Sequence, residues 1–372
     1  MHAAPATDLA FMRRALRLAR RGGGRTSPNP MVGAVVVTRG RIIGQGWHHQ
    51  AGQPHAEIEA LREAERRQQN TRGATLYVTL EPCCTQGRTP PCTEAIIAAG
   101  IRRVVVAATD PNPAHAGRGF RLLRRAGIQV TPGVLADEAA RLNEAFNHWI
   151  VHRTPLVILK AAMTLDGKIA TARGESKWIT GEKARAIGMK LRQTADAVLV
   201  GINTVLADDP SLTFRGARGE GRGANLRRII LDSMARTPPT AKVVADEQAG
   251  LTTIVVSRAA SMRRVAALSR KVHVLVAPAC HGRIDLRWLM RALGREQVIR
   301  LLVEGGGEVH ASLLAHRLAH RVAFFYAPKI LGGREARKAV AGDHSCNPPW
   351  RLCDVKWRRV GADLFLTARI LS

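Results

Sequence analysis

The sequence has no run approaching the roughly 18 consecutive apolar residues that a membrane-spanning helix requires, although 46% of its residues are hydrophobic. A helical membrane span is therefore excluded, while enough apolar material remains for packed cores. Aromatic residues are scarce, at 4% of the chain. No basic run is interleaved with them, which argues against a base-stacking surface for single-stranded nucleic acid. Acidic residues are few as well: 29 Asp and Glu face 57 Lys and Arg, a formal charge of +28. Such an excess attracts polyanions, nucleic acid first among them. The basic residues form no tail or stripe, however, and small phosphate-bearing molecules are steered by the same field. Low-complexity tracts are absent. The opening stretch from Met1 to Gly24 interleaves its basic residues with apolar ones at helical spacing, unlike a secretory signal. A cytoplasmic location is the expectation.

What is present points to two domains, because 372 residues exceed what one hydrophobic core usually serves. Leu9, Met12, Leu16 and Ala19 recur at helical spacing after Thr7 and Asp8, which are expected to cap, and Gly22 to Gly24 end the run. MVGAVVV and RIIGQGW, joined by Thr38-Arg39-Gly40, read as a β-hairpin. Helical and strand patterns then alternate as far as IQVTPGV, which predicts an α/β sandwich with a partly parallel sheet. One helical segment is expected from Leu135 to Thr154, with a domain boundary at Pro155. Beyond it lie strands at PLVILKAAM, AVLVG, RRIILD, TTIVVS, KVHVLV, VIRLLVEGG, VAFFYAPKI and DLFLTARIL. RGARGEGRGAN, from Arg215 to Asn225, reads as a Gly- and Arg-rich loop. The assignment is a first domain over 1–150 and a second over 155–372.

Three of the six cysteines, Cys83, Cys84 and Cys92, crowd together, and this reads as metal or catalytic chemistry rather than a disulfide framework. His55-Ala56-Glu57, then Glu81-Pro82-Cys83 and Pro91-Cys92, is the strongest local signal. Zinc favours imidazole nitrogen and thiolate sulfur, and a catalytic site supplies three ligands and leaves a fourth position open. His55, Cys83 and Cys92 meet that count, with one zinc per chain. Cys84 competes with Cys83, but adjacent residues rarely share a tetrahedral site. Glu57 is placed to act on water without ligating the metal, as general acid and base. This is the zinc deaminase pattern, though eight residues rather than the usual two separate the cysteines.

That long spacing carries a resemblance. EPCCTQGRTPPC resembles the corresponding segment of the bifunctional riboflavin-biosynthesis deaminase-reductases. So do SPNPMVGA from Ser27, Gly46-Trp47-His48 with Pro54-His55-Ala56-Glu57, and DPNPAHAGRG from Asp110. The resemblance implies that Asn29 and His48 contact substrate. One departure stands out, since Cys84-Thr85 replaces the Ser-His common in the family. In the second half, Leu159 to Ala162, Leu165 to Lys168, Ser176 to Thr180, Val200 to Thr213, Val303 to Gly306 and Ala327 to Lys329 resemble the same family's reductase. The implied fold is α/β, a cytidine-deaminase-like three-layer domain followed by a dihydrofolate-reductase-like domain.

LLVEGGGEVHASLLAHRL independently suggests a strand, a glycine turn and a helix whose first turn offers N–H groups to an anion. By the resemblance, NADPH would touch Ala162, Trp178, Thr204, Asp208, Ser233 and the turn comprising Gly306, Gly307, Glu308, Val309, His310, Ala311 and Ser312. Ser176, Arg192, Leu212, Arg215 and Glu304 would touch the sugar phosphate. Arginines suit a phosphate, and an acidic residue suits polarising or protonating the opening ribose.

The expected activity is hydrolytic deamination of a diaminopyrimidinone ribosylamino phosphate, then NADPH-dependent reduction of its ribosyl chain to ribityl. The partner is a phosphorylated pyrimidine; neither specific nucleic-acid binding nor membrane association is expected, and a homo-oligomer is left open. The competing readings are a nucleic-acid deaminase with a basic second half gripping RNA or DNA, and a non-catalytic polyanion-binding protein.

Overall fold

Apolar residues recurring at periods of two and 3.6 build two main sheets, each within its own part of the chain. The computed structural model describes residues 5–85, 90–176, 178–214, 225–280, 282–342 and 348–371. It divides into two units, Met1–Arg153 and Thr154–Ser372. Among the described residues no helix is long and apolar enough to cross a membrane.

The first unit runs α1 (Ala6–Ala19), β1 (Gly33–Thr38), β2 (Arg41–Trp47), α2 (Ala56–Arg66), β3 (Thr75–Leu80), α3 (Cys92–Ala98), β4 (Arg103–Ala108), α4 (Arg118–Arg125), β5 (Gln129–Pro132), α5 (Ala136–Leu142) and α6 (Glu144–His152). The sheet order is β2-β1-β3-β4-β5. β1 is antiparallel to β2 and β3, whereas β3, β4 and β5 are parallel. The β1–β2 turn carries Arg39 and Gly40 at φ 48° and 76°, the left-handed pair that a tight hairpin needs. Alternate residues of each strand face opposite layers. Val36, Leu76, Val78 and Val104 pack with Ala60 and Ala64 of α2, Ile96 of α3 and Leu123 of α4. Val35, Val37, Tyr77 and Val105 pack with Met12 and Leu16 of α1 and Ala139 of α5.

Two local expectations fail for tertiary reasons. Asp8 does not cap α1, whose N-cap is Pro5 with no side-chain bond. Instead it is 1% exposed and accepts hydrogen bonds from Tyr77 Oη at 2.8 Å and from Arg103 Nη1 and Nη2 at 3.0 and 2.7 Å. The expected single helix beyond Leu135 breaks at Asn143, where φ is −104°. There the side-chain amide accepts from Met31 N at 2.8 Å and donates to Met31 O at 2.9 Å, pinning the approach to β1.

The second unit holds a nine-stranded sheet. In spatial order its strands are His273–Ala277, Thr252–Ser257, Arg227–Leu231, Ala197–Gly201, Arg300–Val303, Leu156–Thr164, Arg321–Ala327, Asp363–Ile370 and Leu352–Val360. The first seven are parallel, Asp363–Ile370 is antiparallel to them, and Leu352–Val360 is antiparallel to Asp363–Ile370. Leu352–Val360 was not expected from the sequence. It is an edge strand whose residues are mostly exposed, so LCDVKWRRV carries no clean apolar alternation. The Gly- and Arg-rich loop, with Arg215, lies outside the described residues.

Candidate active sites

In the first unit a cavity of about 250 Å³ is lined by Asn29, His48, His55, Glu57, Cys83, Thr85, Asp110, Asn112 and His115, among others. The ends of secondary structure place its chemistry. His55 is the N-cap of α2 and Glu57 lies in the first turn. Cys92 opens α3 after the N-cap Pro91, and Cys83 follows β3. The ligand atoms of His55, Cys83 and Cys92 lie within 4.8 Å of one another. His55 Nδ1 is 3.3 Å from Cys92 Sγ and 3.5 Å from Cys83 Sγ. Tetrahedral zinc with ordinary Zn–N and Zn–S bonds needs nitrogen–sulfur edges of about 3.5 Å, so the donors fit that ion in both chemistry and spacing. Cys84 lies outside this trio, and burial raises its thiol.

The three donors shift one another's protonation. Cys83 is drawn down to about 4, chiefly by the hydrogen bond from the Cys92 thiol and also by that from His55. The hydrogen bond to Cys83, followed by burial, raises Cys92. His55 is raised, with the hydrogen bond to Cys83 the largest cause. Glu57 is 3% exposed. Burial first, and the Cys83 charge second, push its carboxyl up to about 7.

His48 is 2% exposed, and burial lowers its pKa. Nδ1 lies 3.1 Å from Pro54 O, so it carries the proton and donates; Nε2 then accepts from Asn29 Nδ2 at 3.1 Å. The two expected substrate contacts are thus tied to each other.

One organising residue was not singled out from the sequence. The Glu81 carboxylate accepts the backbone N–H groups of Asp110, Gly117, Gly119 and Phe120 at 3.2, 3.0, 2.9 and 3.4 Å. It thereby holds the loop that brings Asp110, Asn112 and His115 to the cavity. A glutamate immediately before Pro-Cys, with DPNP downstream, was the available signal.

In the second unit a cavity of about 1360 Å³ is lined by Ala162, Ser176, Trp178, Arg192, Thr204, Asp208, Leu212, Ser233, Glu304, Gly306, Gly307, Glu308, Val309, His310 and Ser312. Ala311 is not among its lining residues. Its Cβ lies 3.2 Å from where a side chain on Gly342 would begin. The glycine turn is sterically required. A Cβ on Gly305 would lie 2.5 Å from Val200 Cα and one on Gly307 2.2 Å from Lys338 O, while Gly306 has φ 53°. Helix Gly307–Ala315 starts from this turn, and its first-turn residues line the cavity.

Glu304 accepts from Arg192 Nε and Nη2 at 2.7 and 2.9 Å and lies 3.5 Å from Lys160 Nζ. Burial works against its charge, yet Lys160 and then Arg192 bring its pKa down to about 2. Held ionised by these two cations, it is not suited to the proton-donating role expected of it. Arg192 Nη1 also donates to Thr213 O at 2.9 Å. Ser176 Oγ donates to Asp208 Oδ1 at 2.8 Å, joining an expected substrate contact to an expected cofactor contact. Trp178 is 65% exposed, with the Arg185 guanidinium 4.5 Å above its ring. His310 has both ring nitrogens against backbone carbonyls, Ala339 O at 2.9 Å and Val303 O at 3.3 Å. Lys160 had been noted only within a matching block, with no role assigned.

Known proteins resemble the chain over both units. Residues 5–108 match the family model described as the cytidine and deoxycytidylate deaminase zinc-binding region, and residues 155–366 match the RibD C-terminal domain. A riboflavin biosynthesis protein RibD from Aquifex aeolicus is 46% identical over 325 residues, covering 87% of this chain and 88% of that protein. The RibD of Escherichia coli is 42% identical over 334 residues, covering 87% and 89%. Among solved structures, Acinetobacter baumannii RibD superposes with a TM-score of 0.85 at 37% identity, covering 98% of this chain and 99% of that one. The Thermotoga maritima diaminohydroxyphosphoribosylaminopyrimidine deaminase/5-amino-6-(5-phosphoribosylamino)uracil reductase gives 0.83 at 38% identity with the same coverage. The fold is therefore a cytidine-deaminase-like domain followed by a dihydrofolate-reductase-like one. The chain belongs to the RibD family, the bifunctional zinc-dependent deaminases and NADPH-dependent reductases of riboflavin biosynthesis.

Proposed function

We propose that residues 1–150 deaminate 2,5-diamino-6-(5-phosphoribosylamino)pyrimidin-4-one and residues 155–372 reduce the ribosyl chain of the product to ribityl. The observation that carries the first half is the meeting of His55, Cys83 and Cys92 beside a buried Glu57 in one small cavity. His55, Cys83 and Cys92 hold the zinc, which when bound supplies Lewis-acid activation of the attacking water. Glu57, poised near neutrality, takes a proton from the attacking water and passes it to the ring nitrogen, then takes the proton of the newly added hydroxyl and delivers it to the departing ammonia as the carbonyl forms. Asn29 and the neutral His48 orient the pyrimidine from the same wall.

In the second unit, Thr204, Asp208, Ser233 and the turn from Gly306 hold NADPH, which supplies a hydride to C1′ of the sugar. Lys160 is the proton donor to the ribose ring oxygen as the C1′–O bond opens, because the ionised Glu304 beside it holds its ammonium in place. Arg192 spends three of its N–H groups on Glu304 and Thr213. Two of a guanidinium's five remain for the substrate phosphate. Ser176 and Leu212 line the same cavity. The ligand is a small phosphorylated pyrimidine, toward which the positive net charge steers.

The test uses Glu57→Ala. The variant keeps zinc and releases no ammonia, yet oxidises NADPH at close to the wild-type rate when given the deaminated intermediate. Loss of reduction on supplied intermediate, in folded protein, would show that the halves are not separate catalytic units.

A further inference from the structure

The deaminase cavity contains three imidazoles, two of which are already committed. His55 belongs to the metal donor set, and both nitrogens of His48 are engaged, by Asn29 and by the Pro54 carbonyl. The third, His115, lines the same cavity, and its ring forms no hydrogen bond to any described residue. Its backbone, by contrast, is firmly fixed. Glu81 accepts from Asp110 N and Gly117 N on either side of it. Asp110 Oδ1 accepts from Asn112 N and Asn112 Oδ1 from Ala114 N, and Asn112 O accepts from His115 N and Ala116 N, both at 2.9 Å. A chain of hydrogen bonds thus holds in place a ring that hydrogen-bonds to no described residue and acts electrostatically on Asp110.

Burial says which part of a ligand this side chain meets. Glu57, which handles the proton, is 3% exposed, and Cys92 and His48 are 1% and 2% exposed, while the other two donors, His55 and Cys83, are half-buried. Thr85, Asp110, Asn112 and His115 are all half-buried, and form the rim. With the exocyclic amine directed at Glu57, the ribosylamino arm two ring bonds away points off Glu57 toward these less buried residues. Arg118, which acts electrostatically on Cys84 at the same rim, adds a positive charge there. We propose that His115 is a substrate-contacting specificity residue of the deaminase, donating a hydrogen bond to the ribosyl phosphate arm. This rests on the deaminase reading given above.

Deamination of the diaminopyrimidinone ribosyl phosphate and of its dephosphorylated riboside is measured with wild-type, His115→Leu and His115→Gln full-length protein. Zinc content and NADPH oxidation on supplied intermediate serve as controls for folding. His115→Leu should raise KM for the phosphorylated substrate about five- to tenfold, the size of one net hydrogen bond. Its kcat and its kcat/KM on the riboside should stay near wild type, and His115→Gln, which keeps a donor, should recover most of the loss. An equal loss on both substrates, or no loss on either, would overturn the assignment of His115. Absence of deamination in the wild-type protein would instead count against the deaminase reading itself.

Discussion

Replacing Glu304 by Gln removes the one negative charge that separates Arg192 from Lys160 inside the reductase cavity. The consequence follows from the carboxyl's pKa, drawn from an ordinary 4.5 to about 2 against the opposing effect of burial. That drop corresponds to about 3 kcal/mol of stability when the group is ionised in both folded and unfolded chains. A carboxylate with a depressed folded pKa contributes above its unfolded value and loses the contribution as pH falls through the folded one. The contribution is therefore about 3 kcal/mol near pH 6, and by the same linkage roughly half of that near pH 3. Glu304→Gln should accordingly be destabilised by about 3 kcal/mol near neutrality, within the range for breaking a buried pair, and the gap to wild type should narrow toward acid. Urea unfolding followed by tryptophan fluorescence measures it, with zinc release marking the first unit's transition so that the second unit's is read separately. A deficit below about 1 kcal/mol near pH 6, or one that widens toward pH 3, would refute the pairing as the source of the shift.

Cys83→Ser and Cys92→Ser should each lose the zinc and Cys84→Ser should keep it, as read by metal analysis of the purified proteins. Gly307→Ala places a methyl 2.2 Å from Lys338 O and should abolish NADPH binding in a fluorescence titration while ammonia release continues. Nucleic-acid binding, checked by anisotropy across a salt series, should be weak, sequence-independent and steeply salt-dependent. A tight sequence-selective complex whose strand is deaminated would favour the nucleic-acid deaminase instead.

The zinc donors were readable because each stands in a short motif at an element end: His-Ala-Glu opening α2, Pro-Cys opening α3, Glu-Pro-Cys leaving β3. The alternating strands were readable for the same reason, their information being local. Long-range polar partners were not. Asp8 looks like a cap until Tyr77 and Arg103, 69 and 95 positions away, are brought beside it. Asn143 looks like one more helical residue until Met31, 112 positions away, takes both ends of its amide. Glu304 looks like an acid because nothing nearby in sequence announces Arg192, also 112 positions distant. Glu81 was visible only as part of Glu-Pro-Cys, and nothing local announced that its carboxylate takes backbone N–H groups 29 to 39 positions away.

The two buried glutamates explain how one chain runs two proton chemistries. Both carboxyls leave water, and burial alone would raise both. Glu57 has an anionic sulfur beside it, and the thiolate adds to burial, so its carboxyl reaches about 7 and can take and return a proton near neutral pH. Glu304 has Lys160 and Arg192 beside it, and the two cations outweigh burial, leaving it charged across the whole working range. A permanently ionised Glu304 cannot shuttle protons, but it can keep an ammonium and a guanidinium together in a cavity where they would otherwise repel each other. Exchanging the neighbours would exchange the roles. The identity of the residue therefore decides less than the sign of the charge its fold places next to it.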